Sequence, residues 1–172
     1  MHKKYTIEQV KKISPSVLLK LIQKAKDFVK KTEAFTEMCE DFDVKPDIID
    51  LIPVKFDDLE VSARTEKGII ILNYKLLCDG DFFKDYMYLC HEARHYLQQC
   101  YNEKPTRAAT DDDYLDNKDE VDAFKTQVGY IDEIFGDDEA EKYVDHLTKY
   151  HGLKGSEKEE KEEELLEKVN ED

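Results

Sequence analysis

His91, Glu92 and His95, within the run His91-Glu92-Ala93-Arg94-His95, are the residues best spaced to do chemistry in this chain. On a helix, positions i and i+4 share one face, so the two imidazoles can bind a single metal ion. Glu92 stands about 100° further round the helix, where its carboxylate can reach a metal-activated water. A pentad this short also arises by chance, so the argument rests on the elements that must position it.

A catalytic zinc site needs three protein ligands and an open position. The metzincin pattern would place Gly at 98 and His at 101, but the chain has Gln98 and Tyr101, which excludes that branch. The other common solution takes a carboxylate from a second helix packed on the first. The segment Asp116-Asn117-Lys118-Asp119-Glu120-Val121-Asp122-Ala123-Phe124 offers one. Glu120 lies beside the core face marked by Val121 and Phe124, and Ala123 is small enough to allow close approach. Glu120 is therefore the expected third ligand, with Asp116, Asp119 and Asp122 as alternatives. Asp122 or Asn117 is the candidate to orient a ligating imidazole. Cys90, beside His91, points away from the histidine pair.

The positioning elements follow from periodicity. A short helix over 5–13 ends at Ser14-Pro15, an N-cap and first-turn proline for the next helix. From Val17 to Cys39 a 3.6-residue period predicts one amphipathic helix over 15–41. A helical turn at 46–50 precedes strands at 52–56, 61–65 and 68–73, the last two joined as a hairpin through Glu66-Lys67-Gly68. A short helix follows at 74–78, and Asp81 caps the helix 81–102 that carries the pentad. After a polar loop, helices at 117–135 and 137–151 complete the body, with Asp137 as the cap of the second. The fold class is α+β, mostly helical, with a small antiparallel sheet or hairpin packed on the pentad helix. Residues 1–152 read as a single domain, and 153–172 as an acidic Glu/Lys tail, disordered or helical, with nothing in it that demands a core.

H-E-x-x-H on one helix and E-x-x-A (Glu120 to Ala123) at the start of another, some 25 residues on, resemble small gluzincin-type zinc metallopeptidases, the minigluzincin and phage or bacterial kind. The run Gly68-Ile-Ile-Ile-Leu-Asn73 with Leu76-Leu77 is similar to the edge strand that precedes their zinc helix. The resemblance covers about 60–150. It implies a zincin-like fold with zinc (Zn²⁺) held by His91, His95 and Glu120. Glu92 would be general base for peptide hydrolysis, with a peptide or protein substrate paired along the edge of 68–73. The chain departs from the family in having no clear match to its oxyanion-stabilising His or Tyr. Tyr114, His146 and His151 are the candidates, with His146 preferred because it lies on a late helix that can return to the site. The alternative is a weak or inactive zincin-like module serving binding, regulation or phage assembly.

Composition bounds these readings. The 172 residues carry a net charge of −15, which argues against nucleic acid as a partner. The charge is uneven: residues 1–31 hold nine Lys against Glu8 and Asp27, a net of +7 that leaves −22 for the rest. A solvated lysine-rich face, a surface docked on the acidic body or a site for an anionic partner would each account for it. Residues 1–10 lack the apolar run of a secretion leader, and no run approaches ~20 apolar residues. The expectation is a cytoplasmic protein without a membrane partner. Cys39, Cys78, Cys90 and Cys100 form no C-x-x-C pair and read as reduced, mostly buried thiols.

Overall fold

Side-chain caps cut the first forty residues into short helices. Thr6 and Gln9 form a reciprocal capping box on α1 (Ile7–Lys11). Ser14 Oγ accepts from the Val17 amide, and Pro15 opens α2 (Pro15–Val29), as expected. The computed structural model describes residues 2–101 and 115–170. The candidate Tyr114 and the acidic run at 111–113 lie outside the described residues.

The expected single helix over 15–41 is corrected to two, α2 and α3 (Glu33–Asp41). Thr32 is extended (φ −79°, ψ 150°) and its hydroxyl accepts from the Phe35 amide at 3.3 Å. The Glu133 carboxylate, about 100 residues away in sequence, accepts from the Glu33 and Ala34 amides at 3.0 and 2.9 Å. Together these satisfy the amides that a helix start leaves open. The apolar period runs through the break because both helices bury their faces in one core, through Ile22, Ala25 and Val29 and then Phe35, Met38 and Cys39.

A 3₁₀ turn, Pro46–Leu51, leads into β1 (Val54–Asp57), β2 (Ala63–Glu66) and β3 (Ile69–Asn73). β2 and β3 form the expected hairpin. Its two-residue turn, Lys67-Gly68, has φ of 52° and 75°, the left-handed pair of a type I′ turn. β1 adds to the other side of β3 in parallel, with Val54 opposite Ile70, so the sheet order is β1-β3-β2. This corrects the expected free edge on 68–73. β3 is the central strand, which suits its unbroken Ile-Ile-Ile-Leu run, and the outer strands are β1 and β2.

Two 3₁₀ turns, Tyr74–Leu77 and Phe82–Asp85, precede α4 (Tyr86–Tyr101). The first turn of the predicted helix therefore winds as 3₁₀, and Asp81 makes no side-chain cap there. α5 (Lys118–Phe135) is capped by Asn117, whose Oδ1 accepts from the Glu120 amide, and ends at Gly136, whose φ of 94° favours glycine. Asp137 is the first residue of α6 (Asp137–Tyr150) rather than its cap. α7 (Gly155–Leu165) and α8 (Glu167–Asn170) follow.

The outcome is a mostly helical α+β fold with a small sheet against α4. One core joins the sheet, α2, α3 and α4, with Ile49, Ile70, Leu89, Leu97 and Tyr130 buried in it. A second lies between α5, α6 and α7 around Val128, Ala140 and Val144. The acidic segment after 152 does demand a core. Leu165 is buried in the second cluster, a burial that contributes about 2 kcal/mol. Lys158 ties α7 to Asp145 and Glu162, and the Thr148 hydroxyl donates to Glu162 at 2.9 Å. The basic N-terminal helices meet acidic partners through Lys11–Asp58 and Lys30–Asp50, at 2.6 and 2.9 Å. Lys26 is buried and donates to the Ile52 carbonyl. No described helix is long and apolar enough to cross a membrane.

Candidate metal centre

α4 turns opposite faces to two parts of the protein. Leu89, Cys90, Ala93 and Leu97 face the first core, while His91 and His95 face the first turns of α5. The two helices run antiparallel, as Gln98 meets Asp119, His95 meets Glu120 and Arg94 meets Thr126. Ala123, three residues on from Glu120, is fully buried and keeps a large side chain out of the seam. The Phe124 ring packs edge-on to His91, with centroids 4.6 Å apart, and walls one side of the imidazole.

At this seam three donor atoms converge. His95 Nε2 lies 3.1 Å from His91 Nε2 and 3.1 Å from Glu120 Oε2, and His91 Nε2 lies 3.4 Å from the same oxygen. A tetrahedral zinc ion with bonds of about 2.0–2.1 Å would hold its ligand atoms about 3.3–3.4 Å apart. The observed triangle matches the face of such a tetrahedron to within a few tenths of an ångström. It is the metal-capable cluster found among the described residues. The donor set therefore fits a zinc ion, with two imidazoles and one carboxylate oxygen.

The tautomer needed for binding is set from behind. His95 Nδ1 lies 2.7 Å from Gln98 Oε1, an acceptor, so the ring keeps a proton on Nδ1 and it is Nε2, facing the cluster, that would exchange its proton for a metal ion. Gln98 Nε2 in turn donates to the Asp119 carbonyl at 3.0 Å, which fixes the amide's orientation and links the two helices. This corrects the expected second-layer residues. Asn117 caps α5, and the Asp122 carboxylate pairs with Lys118 at 2.7 Å. The imidazole-orienting position falls to Gln98, which the sequence placed on the histidine face without giving it this part. Its placement at i+3 from His95, on the same face, was the available signal. His91 Nδ1 is buried and has no hydrogen-bond partner among the described residues.

Glu92 is buried, and its Oε2 lies 2.7 Å from the Thr65 hydroxyl. The same hydroxyl lies 3.0 Å from the Glu92 carbonyl. Thr65 belongs to the outer strand β2 and was not foreseen either. It joins the candidate base to β2, an outer strand of the described sheet.

Electrostatics favour a cation at the triangle. Burial opposes charge on Glu120, yet hydrogen bonds from His91 and His95 hold its carboxyl far below the usual range. Burial also opposes a proton on His95, but Glu120, then Glu92 and Gln98, outweigh it and raise that imidazole. A proton thus occupies the cluster in competition with a metal ion.

The other candidates lie apart from this triangle. Asp116 is exposed at the start of the α5 region, and the Asp119 carbonyl serves Gln98. His146 lines a groove between α4, α5 and α6 with Asp85 and Met87, and no described contact joins it to the triangle. His151 follows α6, with its ring 5.2 Å from Tyr150. Cys90 is buried in the first core, where burial pushes its thiol well up. Cys39 is buried, Cys78 half-buried and Cys100 exposed, all as free thiols.

No protein-family model, curated protein or solved structure matches this chain.

Proposed function

We propose that this protein is a zinc-dependent metallopeptidase. The observation that carries the reading is the convergence of His91 Nε2, His95 Nε2 and Glu120 Oε2 at 3.1–3.4 Å, with Glu92 next in sequence to the first ligand. Zinc held there supplies Lewis acidity, which polarises a carbonyl and makes water acidic near neutral pH. Glu92 accepts the proton of the attacking water and delivers it to the departing amine. Thr65 donates to one Glu92 oxygen and leaves the other free for that proton. Gln98 keeps His95 in the ligating tautomer. An extended peptide pairs along the outer edge of β2, which brings its backbone beside Glu92.

The test separates metal binding from turnover. Glu92→Gln is expected to retain one equivalent of zinc and to lose about 10²–10⁴-fold in peptide cleavage. His95→Ala is expected to lose the zinc. A wild-type protein that takes up no zinc contradicts the reading, and so does a Glu92→Gln protein that cleaves at the wild-type rate.

A further inference from the structure

A groove of about 460 Å³ lies between the start of α4, the end of α5 and α6, and Met87 is its wall residue nearest in sequence to the metal centre. Its position follows from helix geometry. Met87, in its wall, stands four residues before His91 on the same face of α4, about 6 Å along the axis. Ile131 and Phe135 continue the α5 face that begins at Glu120 and Phe124. An extended peptide advances about 3.3 Å per residue, so a side chain one or two residues from a bond over the metal reaches this groove.

The groove is apolar along Met87, Ile131 and Phe135, but one end holds a carboxyl. Asp85 is 7% exposed, and its side chain makes no hydrogen bond or ion pair among the described residues. It is the last residue of the 3₁₀ turn that leads directly into α4. The cations at the rim do not neutralise it. Lys84 pairs with Asp79, and Lys142 Nζ lies 2.9 Å from Glu139. Asp85 is therefore the carboxyl left without a counter-ion. Burial lifts it to about 7, with Lys84 opposing the rise and Asp79 and Asp81 adding to it.

We propose that this groove is the subsite for a lysine or arginine side chain of the peptide substrate, with the aliphatic stem on Met87, Ile131 and Phe135 and the cation at Asp85. The proposal rests on the peptidase reading above. A long basic side chain suits both parts, since its methylenes match the apolar wall and its charge completes the buried carboxylate. A purely apolar side chain would fill the same wall and leave Asp85 unpaired.

The test uses the full chain loaded with zinc and peptide hydroxamates, which anchor on zinc without needing turnover. The compounds carry lysine, arginine, norleucine or leucine on either side of the hydroxamate, and binding is measured by calorimetry. The lysine and arginine compounds are expected to bind about tenfold tighter than norleucine in one of the two orientations. Asp85→Asn is expected to abolish that preference while one equivalent of zinc remains bound. Equal affinity for lysine and norleucine overturns the proposal, as does a preference that survives Asp85→Asn. Zinc uptake with no hydroxamate binding also overturns the subsite but leaves the metal centre standing. A protein that takes up no zinc overturns the peptidase reading itself, and the subsite falls with it.

Discussion

Asp85→Asn is expected to stabilise the folded protein, and only at neutral and alkaline pH. The carboxyl is raised from an ordinary 3.8 to about 7, chiefly by burial, with Asp79 and Asp81 adding to the rise and Lys84 opposing it. Above pH 7 the folded protein must carry a buried charge that the unfolded chain carries in water. Below about pH 4 both states are protonated and the penalty vanishes. Stability is therefore lost as pH rises from about 4 to about 7. Three units at 1.36 kcal/mol each set an upper limit of about 4 kcal/mol. A negative charge before the first turn of α4 returns about 0.3–1 kcal/mol through the helix dipole. The desolvation cost wins, and the asparagine variant gains about 1–3 kcal/mol at pH 8, or several degrees in Tm. Asparagine keeps the shape of the side chain, so the difference isolates the charge. Urea unfolding at pH 4.5, 6 and 8 in the presence of a chelator measures it without interference from metal. A stabilisation equal at all three values, or one largest at pH 4.5, refutes the reasoning.

Three further outcomes follow from named contacts. Gln98→Ala removes the acceptor that fixes the His95 tautomer and is expected to weaken zinc binding about 10–100-fold, read by competition with a chromophoric chelator. Thr65→Val preserves shape but leaves the Glu92 carboxylate without its hydroxyl donor. It should cost about 1–3 kcal/mol in stability, measured by urea unfolding, and lower cleavage without removing zinc. Glu133→Ala uncaps α3 and is expected to cost about 1–2 kcal/mol, with hydrogen exchange rising first at the Glu33 and Ala34 amides.

The legible part of this protein was local in sequence. Two histidines at i and i+4 read directly as a shared helix face, and Glu120 followed from its place beside the Val121–Phe124 core stripe, with the small Ala123 one turn on. The Lys67-Gly68 turn announced the β2–β3 hairpin because its backbone needs left-handed residues. What stayed hidden depended on distant partners. The break at Thr32 needs the Glu133 carboxylate from 100 residues away, and the apolar period passes through it unaltered. The central position of β3 depends on β1 adding in parallel beside it, which no local pattern encodes. Thr65 looks like any strand threonine until α4 packs beneath it, and Gln98 shares the histidine face in the sequence, but its bond to His95 depends on the Asp119 carbonyl that fixes its amide. Leu165 is one of few apolar residues in an acidic helix, and its burial appears only once α6 lies beneath it.

The most direct measurement of the central claim is zinc-edge X-ray absorption on the zinc-loaded protein. Two imidazole nitrogens and one or two oxygens at about 2.0–2.1 Å, with no sulfur, are predicted, and Glu120→Ala should change the oxygen shell while both imidazoles remain. A sulfur shell near 2.3 Å, or a spectrum unchanged by Glu120→Ala, would contradict it.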